Sequence, residues 1–165
     1  MRYPNISEYI YAIKNPKNYS SDINDLTPVT DQDSNPVFIK GRFSLIFKMR
    51  NIDNNKNYAL KCFLMEEEGR DAAYNSISKI TRTNSKYLVE AKYYSEGLFC
   101  CTEESEHHVF PVVVMDWVEG TELDTYVNQF RGNPFVLNDL CIAFTEMAKW
   151  LSSRVLLTVI LIRII

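Results

Sequence analysis

The sequence predicts an α+β fold in which a five-stranded antiparallel sheet carries one packed helix, with two further helices after it. Three observations predict this fold. Three apolar segments are joined by short turns, a segment with helical spacing comes next, and two longer apolar segments precede two more helical patterns. Strands joined by short turns form an antiparallel meander, and strands that are segregated from helices are typical of the α+β class.

The elements follow one another along the chain in a regular order. Residues 1–36 are polar and rich in turn formers, which predicts a loosely packed lead-in. The apolar segments predict five strands, namely residues 37–39, 44–49, 58–64, 89–100 and 109–116. The spacing of apolar residues predicts three helices, over residues 66–82, 121–130 and 138–151. The predicted regions are therefore the lead-in (1–36), a sheet region (37–118), the start of a helical region (119–153) and an apolar tail (154–165).

Local signals refine the two helices that follow the sheet. Thr121 and Asp124 are spaced like a capping box, and Asn138 is a predicted N-cap. The last helix carries an apolar stripe formed by Leu140, Phe144, Met147 and Leu151. The apolar tail could cover part of this stripe; otherwise we expect aggregation or oligomerisation.

Composition limits the classes of function. The 165 residues include 46% hydrophobic and 24% charged residues, and the net charge of −3 without a Lys/Arg block disfavours a nucleic-acid partner. The four cysteines form no C-x-x-C pair, which is typical of reduced thiols in a cytoplasmic protein. The longest apolar run, residues 155–165, is too short to span a bilayer, so we expect no membrane partner. Cys100 and Cys101 alternate across a strand, so we interpret the nearby polar residues as a hairpin turn rather than a metal site.

The most informative pattern is a glycine turn followed at a fixed distance by a lysine. Gly41 lies between two apolar strands, and Lys61 ends the segment Tyr-Ala-Leu-Lys in the next strand. Such a turn directs backbone N–H groups at phosphates, and the ammonium group meets the phosphates from the neighbouring strand. The alternative is a surface lysine on a half-solvated strand.

These segments resemble the small lobe of protein kinases, in particular bacterial serine/threonine kinase-like proteins, over residues 37–153. The family's Gly-rich loop matches residues 39–46, where only the second glycine, Gly41, is kept. Ile39 and Ser44 replace the other glycines, Phe43 falls at the tip and Ile46 over the adenine. The resemblance implies that Ala59 packs on the adenine and that Lys61 holds the α- and β-phosphates of ATP.

The second strand pair ends in a segment that resembles the kinase hinge, Met-Asp-Trp-Val-Glu-Gly. By this resemblance Met115 is the gatekeeper, and the backbone of Asp116 and of Val118 contacts the adenine edge. Glu122 falls where a contact with the ribose is expected. The alternative is an ordinary strand that leaves the sheet through a turn.

Other family features have no match. The glutamate that pairs with the strand lysine in active kinases falls, by counting, at Ser76, and one of Glu66 to Glu68 could reach Lys61 only from the start of the helix. The catalytic-loop residues and the magnesium-binding aspartate would follow the last matched helix, where residues 154–165 offer neither a base nor a metal ligand. We therefore expect no catalytic or metal-binding residues, weak or lost ATP binding, and magnesium only in a full-length parent. Read with a one-base shift, the tail can encode a catalytic loop of the His-Gly-Asp type, which suggests a frameshift; an ordinary apolar helix or strand is the alternative.

The resemblance thus implies a protein kinase domain-containing, ATP-binding protein. The parent reaction would transfer a phosphoryl group from ATP to protein Ser or Thr, and this chain would be inactive. Three alternatives stay open: a pseudokinase-type module that docks on a protein partner, a fragment of an aminoglycoside-type phosphotransferase, and a decayed gene product without function.

Overall fold

The computed structural model describes residues 2–81, 87–102 and 105–153. The frameshift hypothesis concerns residues 154–165 and so lies outside the described residues. The chain divides into two compact units, residues 1–117 and residues 118 onward, and each is described by itself. The structure confirms the α+β class with an antiparallel sheet.

The first unit holds one sheet and two α-helices. Its elements in chain order are α1 (Ile6–Ile13), a 3-10 turn (Pro16–Asn18), β1 (Leu26–Pro28), β2 (Phe38–Lys40), β3 (Ser44–Asn51), β4 (Asn57–Phe63), α2 (Arg70–Thr81), β5 (Ala91–Thr102) and β6 (Ser105–Asp116). The strands pair antiparallel in the order β1-β3-β4-β6-β5, and β2 also pairs with β3. The described sheet therefore has one strand more than the sequence predicts, the short β1.

The lead-in is not loosely packed, so this prediction was wrong. Tyr9, Ile13 and Ile23 are at most 1% exposed and pack on one face of the sheet, which we call the outer face. The outer face presents Leu45, Phe47, Met49, Leu60, Cys62 and Val112. The Tyr9 hydroxyl donates to the Phe63 carbonyl at 2.6 Å, so residues 54 positions apart are joined by a buried hydrogen bond. The lead-in completes the main core of the unit.

Helix α2 covers the opposite face, which we call the inner face. The helix meets the sheet through Arg70, Tyr74 and Thr81, each at most 6% exposed, and through the partly buried Ile77. These four positions recur every three or four residues, the spacing of one face of a helix. Val113 and Phe63 complete a smaller core between the helix and the sheet. The inner face is covered only in part, since Lys48 and Lys61 also lie on it and are half-buried.

Gly97 allows a close approach between β5 and β6, at an irregularity in their pairing. A Cβ atom at Gly97 would lie 2.2 Å from Cγ2 of Val112, which is fully buried and, being β-branched, cannot turn away easily. We expect Gly97→Ala to destabilise the protein by about 1–3 kcal/mol, measured by urea unfolding. Gly132→Ala is the control, because nothing lies within 4 Å of a Cβ atom there. Equal midpoints for the two variants would contradict this packing.

The second unit begins with α3 (Leu123–Phe130) and α4 (Pro134–Ser152). The N-cap of α4 is Asn133, whose side chain accepts from the backbone of Phe135 and Val136, so the prediction of Asn138 was wrong. The predicted capping box of α3 is also wrong, because Glu122 is the N-cap and makes no side-chain cap bond.

The apolar stripe of α4 is only partly exposed. Phe144 is 50% exposed, whereas Leu151 is 6% exposed. Within the described part of the chain, no helix combines the length and the apolar character needed to cross a bilayer.

Candidate functional site

The strand register gathers most of the predicted site residues on the inner face. Lys61 lies opposite Ile46 on β3 and Val113 on β6, and Ile46 lies opposite Ile39 on β2. Residues opposite each other in an antiparallel pair share a face. Ala59 lies opposite Met115 in the next inward-facing row, and Ser44 lies opposite Phe63. Six predicted residues therefore line one surface: Ile39, Ser44, Ile46, Ala59, Lys61 and Met115.

Gly41 and Phe43 belong to the turn that joins β2 and β3. The Gly41 N–H donates to the Ser44 carbonyl at 2.9 Å, and the Phe43 carbonyl accepts from Leu64 N–H at 3.0 Å. The turn is therefore tied to the end of β4, close to the row that holds Lys61. The Phe43 side chain is 54% exposed, and the guanidinium carbon of Arg42 lies 5.0 Å from the centroid of its ring.

Lys61 is half-buried and its ammonium group lies against two aromatic rings. The Nζ atom is 5.8 Å from the ring centroid of Phe63 and 5.7 Å from that of Tyr74. Both distances lie within the range of cation–π attraction. Among the described residues no carboxylate forms an ion pair with Lys61. Its charge is therefore oriented by rings rather than neutralised by an acid.

The α2 residue that lies beside Lys61 is Tyr74 rather than Ser76. Ser76 is exposed and its hydroxyl donates to the Ala72 carbonyl at 2.8 Å, within its own helix. The position that counting assigned to the missing glutamate thus lies away from the lysine. Tyr74 was missed by the sequence analysis, although the spacing of Arg70, Tyr74, Ile77 and Thr81 is the signal that identifies the sheet-facing side of α2.

A buried arginine, Arg70, also contacts the Phe63 ring that lies beside Lys61. The guanidinium carbon of Arg70 lies 4.1 Å from the ring centroid of Phe63, and its Nη1 donates to the Tyr3 hydroxyl at 2.7 Å. Nη2 donates to the Met65 carbonyl. Arg70 is 4% exposed, so it acts as a structural cation that links the N-terminal segment to the start of α2. The sequence analysis did not identify this role.

The predicted hinge residues fall into both units. Asp116 ends β6, and its carboxylate accepts from Lys56 Nζ at 2.9 Å. This hydrogen bond raises the pKa of Lys56 above its ordinary value. The Asp116 side chain shares the outer face with Tyr58, its partner in the register. Val118 and Glu122 belong to the second unit, where both are exposed.

A separate cavity of about 250 Å³ opens on the outer face, beside the end of β6. Asp116 and Lys56 form part of its wall, together with Tyr58, Tyr94 and the lead-in residues Asp22 and Asp25. Burial raises the pKa of Tyr94, and the nearby carboxylates of Asp22 and Asp25 raise it further. The sheet separates this cavity from the side chain of Lys61.

Within the described residues, no group of three or more His, Cys, Asp or Glu side chains is arranged to hold a metal ion. Cys62 and Cys100 are buried as free thiols, and Cys101 and Cys141 are exposed.

Neither family models, nor curated proteins, nor solved structures gave a match to this chain.

Proposed function

We propose that the chain binds a nucleotide such as ATP on the inner face of its sheet, in the manner of a protein kinase small lobe. The observation that carries the proposal is the alignment of Ile39, Ile46 and Lys61 across three strands, next to the Gly41 turn. An apolar surface that ends in an oriented ammonium group suits a ligand with an apolar base and an anionic phosphate chain.

The fold is compatible with this proposal. Three strands joined by turns are followed by helix α2, and two further strands then complete the sheet. The helix packs on the same face as Lys61, so that face combines strand and helix residues. In the proposed role, backbone N–H groups of the turn other than that of Gly41, which donates to the Ser44 carbonyl, face the phosphates. The half-buried Ile46 contacts the base, whereas Ala59 is 6% exposed and offers it little surface. The proposal concerns binding alone and makes no use of residues 154–165.

Replacement of Lys61 tests the proposal. Lys61→Gln keeps a flexible polar side chain, one atom shorter, and removes its charge, and a hydrogen bond to a charged group contributes about 1.5–3 kcal/mol. We therefore expect the Kd for ATP, measured by isothermal titration calorimetry, to rise at least about tenfold. Lys17→Gln is the matched control, because this exposed lysine lies in the short turn after α1. The proposal is rejected if the natural chain shows no saturable ATP binding, or if Lys61→Gln binds as the control does.

A further inference from the structure

The orientation of Lys61 depends on two rings that are themselves held in place. Tyr74 is 6% exposed, stacks on Tyr93 with centroids 5.6 Å apart and planes 13° apart, and meets Phe63 edge-on at 5.5 Å. Phe63 is 4% exposed and is also in contact with the Arg70 guanidinium. Neither ring has room to rotate freely, so the pair defines a fixed place for the ammonium group.

An aromatic ring and a carboxylate hold an ammonium group with different consequences. A carboxylate cancels the charge at short range, so an incoming phosphate must compete with it. The face of a ring attracts the cation through its quadrupole and carries no net charge. A lysine that is held by rings keeps its full charge for a ligand.

We propose that Tyr74 is a positioning residue for Lys61, and that the ammonium group it orients binds the polyphosphate chain of the ligand. This inference rests on the proposed nucleotide site and specifies the ligand class that the site takes. Inorganic tripolyphosphate, which has the charge of the ATP phosphates and no base, should therefore compete with ATP, whereas adenosine should compete weakly.

Two substitutions at Tyr74 distinguish the contribution of the ring from that of its hydroxyl group. Tyr74→Phe keeps the ring face and should leave the Kd for ATP and for tripolyphosphate within about twofold of the natural chain. Tyr74→Leu keeps apolar volume but removes the ring, and should weaken both ligands about three- to tenfold. Calorimetry at two salt concentrations adds a second readout: tripolyphosphate binding should weaken with salt in both variants, because the charge of Lys61 remains.

The outcomes distinguish the two proposals. If Lys61→Gln binds ATP like the natural chain, the nucleotide site itself is wrong. If Lys61→Gln loses binding but Tyr74→Leu does not, the nucleotide site stands and the role of Tyr74 is wrong. Tighter binding of adenosine than of tripolyphosphate would overturn the inferred ligand class.

A measurement on the natural chain remains decisive if Tyr74→Leu does not fold. Protons of the Lys61 side chain that lie over two rings should have NMR signals shifted upfield by the ring currents. The Lys61 signals can be assigned by their absence in Lys61→Gln, and Tyr74→Phe should retain the shift. Unshifted Lys61 signals in the natural chain would overturn the positioning role.

Discussion

Truncation of Ile13 to alanine is expected to destabilise the first unit by about 2–5 kcal/mol, the cost of emptying a buried aliphatic site. Ile13 ends helix α1, is fully buried and belongs to the main core on the outer face of the sheet. Its loss leaves a cavity between the helix and strands that are already covered on their other side. An effect of this size is a large share of the stability of an ordinary domain.

Tyr11→Ala is the matched control for Ile13→Ala. Tyr11 lies on the same helix but is 75% exposed, so its truncation should change the free energy of unfolding by less than about 0.5 kcal/mol. Both substitutions replace a residue of lower helix propensity by alanine, so the propensity change is similar. Urea unfolding followed by far-UV circular dichroism measures the difference. Equal midpoints would mean that α1 does not pack on the sheet.

The burial of Ile13 was difficult to predict because its partners are distant in the sequence. Ile13 and Ile23 are separated by mostly polar and turn-forming residues, and the composition of the lead-in as a whole therefore indicates a loose segment. Their burial depends on the outer face of the sheet, for example on Leu45 and Phe110. By contrast, the strands from β2 to β6 have local signals, which are apolar segments bounded by turns. Local patterns therefore predict these strands, but they do not predict that the lead-in packs on the sheet.

The candidate site shows the same division between local and long-range information. Antiparallel pairing through a short turn places Ile46 opposite Lys61, so their common face follows from the sequence once the strands are known. The helix residue next to Lys61 does not follow from counting, because an error of two positions turns a helix by more than half a turn. The buried positions Arg70 and Tyr74 show which side of α2 faces the sheet, and Ser76 does not lie on that side.

The start of helix α4 depends on which of two possible N-cap residues is used. Asn133 and Asn138 are both suitable N-cap residues, and the choice between them depends on the residue that follows. Pro134 directly follows Asn133 and suits the first helical position, since it lacks an N–H group and has a fixed φ. Recognition of this pair would have placed the start of α4 correctly.

Alkaline pH is expected to unfold the first unit over a narrow range. The buried side chains of Tyr9, Tyr19, Cys62 and Cys100 all have their pKa raised, chiefly because burial disfavours the charged form. For Cys100 the pKa rises to about 12. These groups are neutral when protonated, so the folded state holds protons that the unfolded chain releases above pH of about 8.5 for thiols and about 10 for phenols.

The sign of the effect follows from proton linkage. Below these unfolded-state pKa values both states are protonated and the contribution to stability is fully present. As the pH rises, the unfolded state gains stability by about 1.4 kcal/mol per pH unit for each group. Only the two thiols contribute between about pH 8.5 and 10, so the free energy of unfolding should fall by about 3 kcal/mol per pH unit there. Above about pH 10 the phenols of Tyr9 and Tyr19 join them. Those of the partly buried Tyr93 and Tyr94, whose pKa values are also raised, do so too, and the slope should exceed about 5 kcal/mol per pH unit.

Urea midpoints measured across this range in the presence of a reducing agent give the slope directly. Cys62→Ala should reduce the slope by about 1.4 kcal/mol per pH unit from about pH 8.5 upward, whatever the variant's stability at neutral pH. Cys141→Ala is the matched control, because that thiol is exposed in the second unit and should leave the slope unchanged. Since Tyr9 and Tyr19 come from the lead-in, their share of the steeper loss above about pH 10 depends on its packing against the sheet, whereas Tyr93 and Tyr94 contribute from β5. A stability profile that stays flat to pH values above 10 would mean that these phenols reach solvent, and the lead-in would then not complete the core.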